Sequence, residues 1–298
     1  MANLLVIGVL ALDRPIRLDG LLRSGGRLRG RTLDGALEGR LGGGCANTGC
    51  ALLAAGHAVM AASVLAEDDD GRKARAMAHA AGLDTRLVGR RPGSSARTLV
   101  LVEPTGERTI IGLDGSALAV RPKLPPSSRF PAVRPDGVFV RTAYEGAADW
   151  ARTSTGPVIL HWPSPTYDGE ADVVVVSAED MPEGLADAPF PAAASQLGDR
   201  LSWVVVTHGK EGAVAHGRDG IRIAAEAASV IARDSTGAGD VFAAGLLDAL
   251  VSGAAMDDAL RHACAWGAAA AELESSAPLD APPGTFRAWS GEALAKLS

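Results

Sequence analysis

The stretch DSTGAGD, residues 234–240, running into VFAAGLLDAL, residues 241–250, decides the fold. It sets small residues and a carboxylate at the mouth of a long apolar helix, behind a short apolar run at 227–232 that reads as a strand. Gly237, Ala238 and Gly239 therefore stand where a strand becomes a helix. The first N–H groups of a helix lack intrahelical partners and its dipole is positive there, so the junction favours a phosphate. Glycine lets the backbone close on such an anion. Asp240 is the odd member, because its carboxylate repels the anion the cradle would hold. Two readings stand side by side. Asp240 caps the helix, or it accepts the proton of a hydroxyl attacking phosphorus, since in-line phosphoryl transfer asks of a protein mainly positioning, charge and a base.

Outward from this stretch, short valine-rich runs recur at 4–9, 137–140, 158–160, 173–176 and 204–206. They are apolar on both faces, as parallel strands covered by helices must be. Helices are predicted over 46–55, 71–81, 241–252 and 257–274, with Gly56, Gly82 and Gly253 as stops. This alternation predicts one α/β domain over residues 1–298, three-layered and doubly wound around a mostly parallel sheet. Two segments break the pattern. Residues 13–42 turn to arginine, glycine and leucine, and RTLVLVEPTGERTII, residues 97–111, reads as two strands around a turn at 104–107. Together they predict a small β lid, approximately 14–41 and 97–112, that keeps water from the reacting phosphate. An ordinary surface hairpin gives the same pattern.

With 298 residues, 47% of them hydrophobic, the chain can bury a large core. A net charge of −6 argues against a nucleic-acid partner. Cys45, Cys50 and Cys264 form no CxxC pair and have no histidines at ligand spacing, which speaks against disulfides or zinc and fits a reducing cytoplasm. The leading MANLLVIGVLALD lacks a basic region and reads as a buried strand rather than a signal peptide. No apolar run approaches the roughly 20 residues that span a bilayer, so no membrane partner is expected. His57, His79, His161, His208, His216 and His262 are scattered along the chain without a partner carboxylate or metal spacing.

DSTGAGDVFAAG, residues 234–245, and GGGCANTGCALLAAG, residues 42–56, occurring in this order, are far more specific than a lone glycine run. On both motifs the chain resembles the ribokinase-like, PfkB-type carbohydrate kinases over nearly all of its length. The resemblance implies an ATP-dependent, magnesium-requiring phosphotransferase acting on a hydroxyl of a sugar or sugar-like molecule. A nucleoside kinase is the rival within the family, and a non-catalytic sugar or nucleotide sensor is the rival outside it. By the same resemblance Asp240 is the catalytic base, and Gly237, Ala238 and Gly239 form the anion hole. Asp13 then holds sugar hydroxyls, and Gly42, Gly43 and Asn47 line the sugar pocket, although an asparagine near a helix start also serves as a cap. VVVTHGKEG, residues 204–212, resembles the nucleotide strand and turn and points to Thr207, Gly209 and Gly212 near ATP, with Gly267 near the base.

The family's Asn and Glu three residues apart, which organise magnesium, are matched in VVVVSAED by Ser177 and Asp180, with Glu179 beside them. Asp234 and Thr236 correspond to a monovalent cation site, implying potassium, and a homodimer through the lid is implied as well. Arg97, Arg108 and Arg141 are candidates for gripping a phosphate already on the substrate. Gly44 stands where many sugar phosphate kinases carry a lysine, which favours an unphosphorylated acceptor.

Overall fold

Segments apolar on both sides cannot leave either face in water, and here they form the interior of one sheet. The computed structural model describes residues 1–32, 38–105, 108–113, 122–181, 188–231 and 235–273. Numbered along the chain, the main-sheet strands are β1 (Asn3–Ile7), β5 (Ala58–Ala66), β6 (Asp84–Arg91), β9 (Gly137–Val140), β10 (Val158–His161), β11 (Val173–Ser177), β12 (Trp203–Thr207), β13 (Ala213–Gly217) and β14 (Arg222–Ala225). They lie in the order β14-β13-β12-β11-β10-β9-β1-β5-β6. All neighbours from β6 to β12 are parallel, while β13 and β14 add an antiparallel edge.

The helices are α1 (Gly44–Ala54), α2 (Asp69–Ala80), α3 (Ala147–Ala151), α4 (Pro189–Leu197), α5 (Ala238–Val251) and α6 (Met256–Ala271). One face of the sheet, with Leu4, Val6 and Val205, packs on α1, α5 and α6, and Trp266 is fully buried there. The other face, with Leu5, Ile7 and Val206, packs on α3 and α4 around Trp150. Because both faces are covered, alternate residues of β1 are equally buried, and the fold is the expected three-layer α/β architecture. Gly56, Gly82 and Gly253 take left-handed φ values of 88°, 98° and 82° just past the ends of their helices.

A second sheet holds β2 (Ala11–Leu18), β3 (Gly30–Thr32), β7 (Arg97–Val102) and β8 (Arg108–Leu113) in the order β3-β2-β7-β8, with β4 (Arg40–Gly42) also pairing β2. β7 and β8 are an antiparallel pair, and β2 lies parallel to β7. The sheet is tied to the start of α2 by Asp70, which accepts from Arg14 Nη2 at 3.2 Å and from Arg97 Nε at 2.8 Å. Ile110, Ile111 and Leu113 of the edge strand β8 stay exposed.

Three local readings change. The run at 227–232 enters no strand among its described residues; the sheet already ends at β14, and Ala225 is covered by Gly212 and Cys264. β5 is an unanticipated central strand, because AVMAASVLA is rich in alanine and suits a helix equally well. β6 also escapes a reading by valine content, because as the opposite edge it carries charged residues. No helix among the described residues is long and apolar enough to cross a membrane.

Candidate active site

From β1 the chain builds β5 and β6 to one side and returns to β9 on the other. The crevice outside the carboxyl ends of β1 and β9 is thus the topological switch point, where ligands of open α/β sheets bind. α1 and α5 both start there. Gly43 precedes α1 with φ 86°, and a Cβ on it would lie 2.4 Å from the Val9 carbonyl oxygen. A Cβ on Gly42 would lie 2.0 Å from Asp13 Oδ2, so the buried Asp13 side chain rests directly on this backbone.

The first helical residue of α5 is Ala238, and the residue capping it is Gly237, with φ 79° and no side-chain cap bond. Asp240 therefore does not cap the helix. Its carboxylate accepts from Asn47 Nδ2 at 2.8 Å and from Arg141 Nε at 2.8 Å, and its backbone oxygen accepts from Thr48 Oγ1 at 3.1 Å. Nor does Asn47 cap α1, a place taken by Gly43. Asn47 Oδ1 is buried and has no hydrogen-bond partner among the described residues. Such an acceptor is unfavourable unless a ligand hydroxyl donates to it. In front of Gly239 the space is open, for a Cβ there meets nothing within 4 Å.

Two further side chains reach this point. Arg141, the first residue past β9, passes over Gly8 and Gly44, whose added Cβ atoms would lie 3.1 Å from its Cβ and 2.5 Å from its Cγ. His161 ends β10, and burial, seconded by the charge of Arg141, lowers its pKa to about 4 against the opposing pull of Asp240 and Asp180. At neutral pH its ring is uncharged. Spacing gives His161 no partner, but the position of both residues directly after an apolar strand is the signal that marks them.

The residues expected near ATP lie further along the same edge. Thr207 ends β12 opposite Ser177 of β11, and its hydroxyl donates to the Val176 carbonyl at 3.4 Å. Gly209 and Gly212 have φ values of 56° and 102°, and a Cβ on Gly212 would strike the Ala225 carbonyl at 2.1 Å. β12 is four strand spacings from β1, about 19 Å, so only an elongated ligand serves both places. Gly267 lies against the start of α5, where its Cβ would be 3.4 Å from the Ala238 carbonyl oxygen. Glu179 and Asp180 are exposed in a 3-10 turn whose Glu179 N–H donates to Ser177 Oγ at 3.3 Å. Among the described residues no group of three or more His, Cys, Asp or Glu side chains could hold a metal. Two exposed carboxylates suit an ion held mainly through phosphates and water. Thr236 is buried just ahead of α5, and Asp234 lies outside the described residues. Arg97 is engaged by Asp70, and the side chain of Arg108 lies outside the described residues.

Away from the crevice, at the far end of α5, two histidines do share a carboxylate. His57 Nε2 is 2.6 Å from Asp248 Oδ1 and His262 Nε2 is 2.9 Å from Oδ2, while His57 Nδ1 accepts from the Ala2 N–H at 3.1 Å. Burial raises the Asp248 pKa, but the bonds from His262 and His57 outweigh it and hold the carboxyl well below its usual range. The three cysteines are free and buried, and burial pushes the Cys50 thiol up to about 12.

A model of the pfkB family of carbohydrate kinases matches residues 170–282. The ATP-dependent ribose-1-phosphate kinase of Halopiger xanaduensis is 30% identical over 293 residues, which cover 93% of this chain and 94% of that protein. In fold, the chain is similar to a candidate ribokinase from Agrobacterium tumefaciens, with a TM-score of 0.81, 19% identity and coverage of 99% and 98%. It is also similar to the Arabidopsis thaliana ribokinase complexed with ribose and ATP, with a TM-score of 0.73, 19% identity and coverage of 97% and 98%. A near full-length relative at this identity and a ribokinase-like fold agree with the two motifs, and the chain belongs to the pfkB family of carbohydrate kinases, ATP-dependent phosphotransferases with an alcohol group as acceptor.

Proposed function

We propose that Asp240 deprotonates a hydroxyl of a small sugar held in the crevice, and that the backbone of Gly237, Ala238 and Gly239 stabilises the phosphoryl group transferred to it. The observation that carries this is the state of Asp240. Its carboxylate sits in the first turn of α5, held on both oxygens by Asn47 and Arg141, beside a helix start left open at Gly239. A general base must lie within hydrogen-bond reach of its proton, and fixed donors set it there before the substrate arrives. Asp13, Gly42, Gly43 and Asn47 hold the acceptor, and the unpartnered Asn47 Oδ1 takes a bond from one of its hydroxyls. ATP runs along the strand ends, with Thr207, Gly209, Gly212 and Gly267 on its nucleoside side. Glu179 and Asp180 hold Mg2+ through water, and the ion neutralises charge on the ATP phosphates. Asp234 and Thr236 form the K+ site.

The second sheet, fixed to α2 through Asp70, closes over the acceptor as a lid, so that water does not take the phosphoryl group. The exposed Ile110, Ile111 and Leu113 of its edge support a homodimer through this sheet. Three cysteines without a CxxC pair and a net charge of −6 support a cytoplasmic enzyme without a nucleic-acid partner.

The test is ADP release with ATP and magnesium against free pentoses, hexoses, sugar acids, nucleosides and sugar phosphates, with Asp240→Asn as control. Turnover with at least one acceptor, lost in the variant, is the expected outcome. Ligand binding without turnover in the parent protein would instead mark a sensor.

A further inference from the structure

We propose that His161 touches the phosphoryl group as it passes from ATP to the acceptor, donating a ring N–H to one of its oxygens. This rests on the reading of Asp240 as the base and deepens it. The first observation is where the strand ladder puts the ring. Ile159, two residues earlier in β10, packs in the core beneath α1, α5 and α6, and side chains alternate along a strand, so His161 projects toward the same helices. Leu160 pairs with Val140 and His161 with Val175, which sets the ring between Arg141 on one side and Val175 on the other. Along this row the side chains run from the arginine bound to Asp240, through His161, to the buried Val175 and Val205. Two residues further out, Ser177 and Thr207 face the same way and lead to the carboxylates Glu179 and Asp180. His161 is thus the polar side chain at the seam between the base and the nucleotide end of the crevice. The charges acting on its ring agree, for they come from Arg141 and Asp240 and from Asp180.

The second observation is that the protein leaves the ring unsatisfied. His161 is half-buried, and no hydrogen bond joins either ring nitrogen to another described residue. A polar group withdrawn from water without a partner is unfavourable, and a ligand that bonds to it removes the cost. The ring's state suits a phosphoryl group beside a base. An imidazolium here would pair with the Asp240 carboxylate and compete for the proton that Asp240 must take. The uncharged ring keeps one N–H to give and leaves Asp240 ionised. The space in front of Gly239 is open, so the amides at the start of α5 meet the group from the helix side and His161 meets it from the sheet side. In phosphoryl transfer charge spreads over three oxygens, and donors fixed on two sides of them stabilise it without rearranging.

The experiment measures steady-state kinetics in both substrates for His161→Phe and His161→Gln, with ADP binding by calorimetry and thermal unfolding beside them. His161→Phe keeps a ring of similar size and removes both nitrogens. Its kcat should fall about 10- to 100-fold with every acceptor, because a hydrogen bond to a charged group is lost. The Kd of ADP, which lacks the transferred group, should stay as in the parent enzyme. His161→Gln keeps a donor and should recover part of the loss. The Tm of His161→Phe should hold or rise, since an unpartnered polar ring gives way to an apolar one. With magnesium, ADP, acceptor and aluminium fluoride, which imitates the group in transit, the parent enzyme should gain more thermal stability than His161→Phe. Turnover of His161→Phe near that of the parent, or a loss confined to the acceptor KM, would overturn the proposal. So would a fall in Tm with a matching loss of ADP binding, which would reduce His161 to a packing residue. Should His161→Phe not fold, His161→Ala takes its place under the same expectations for kcat and ADP binding and the same grounds for rejection. Turnover that survives Asp240→Asn would fault the base reading separately, leaving kcat and ADP binding in the His161 variants to judge His161.

Discussion

The side-chain amide of Asn47, in α1, donates at 2.8 Å to the carboxylate of Asp240, in α5, across 193 positions of sequence. Two helices that start at the same crevice are thereby joined through the proposed base. Replacing Asn47 by Ala removes one of its two holders and the orphan acceptor together. The acceptor kcat/KM should fall roughly 10- to 100-fold, with KM for ATP nearly unchanged, as steady-state kinetics in both substrates will show. Asp240→Asn should lower kcat by about 100- to 10,000-fold while ATP still binds. Near-normal turnover in that variant would sink the mechanism.

Gly239→Ala separates stability from activity. The added methyl meets nothing in the folded protein, and alanine suits a helix better than glycine by about 0.5–1 kcal/mol. Thermal unfolding should therefore show equal or slightly higher stability. Activity should drop at least about 10-fold, because the methyl stands where the phosphoryl oxygens approach the α5 amides. Loss of stability and activity in parallel would instead make this glycine a packing residue.

His161 gives a pH signature with a definite sign. Its pKa is about 4 in the folded protein, below the roughly 6.5 of an unfolded histidine. Between these values the unfolded chain binds a proton that the folded protein does not, so stability is full above about 6.5 and declines as pH falls toward 4. The decline amounts to about 3 kcal/mol for the ligand-free protein. Urea midpoints measured across this range should flatten in His161→Gln, and an unaltered slope would place the titration elsewhere.

Asp248 gives the complementary case. Its folded pKa is depressed, so its contribution is present above the ordinary carboxylate value of about 3.9 and is withdrawn as pH falls below it toward the folded value. Asp248→Ala leaves His57 and His262 without their shared acceptor and should cost about 1–3 kcal/mol. Because the cluster lies at the far end of α5 from Asp240, kcat should hold where the variant is folded. Differential scanning calorimetry beside an activity assay tests both halves.

Where the sequence could be read, it was read from local chemistry. The valine runs of β9, β10, β11 and β12 mark themselves as doubly covered, and Gly56, Gly82 and Gly253 mark helix ends, because each property resides in a few consecutive residues. β5 hides because alanine suits both kinds of element, and its place beside β1 is set by pairing with Leu4, Leu5 and Val6. The same limit governs the site. Asp240 and Asn47 lie in recognisable motifs, whereas the bond from Arg141 depends on glycines at positions 8 and 44 from two other segments. His57 and His262 find Asp248 only through packing over 191 and 14 positions.

The crevice draws Asn47 from the first fifth of the chain, Arg141 from the middle and Asp240 from the last quarter, with the last two 99 positions apart. A chain emerging from the ribosome can build β1, β5 and β6 and pair β9 with them long before α5 exists. The reacting centre is therefore completed only after most of the sheet has been made, and a chain that ends before α5 lacks its base. In refolding, the return of phosphoryl transfer should lag behind the return of sheet structure, so that activity serves as a clock for the final step of assembly.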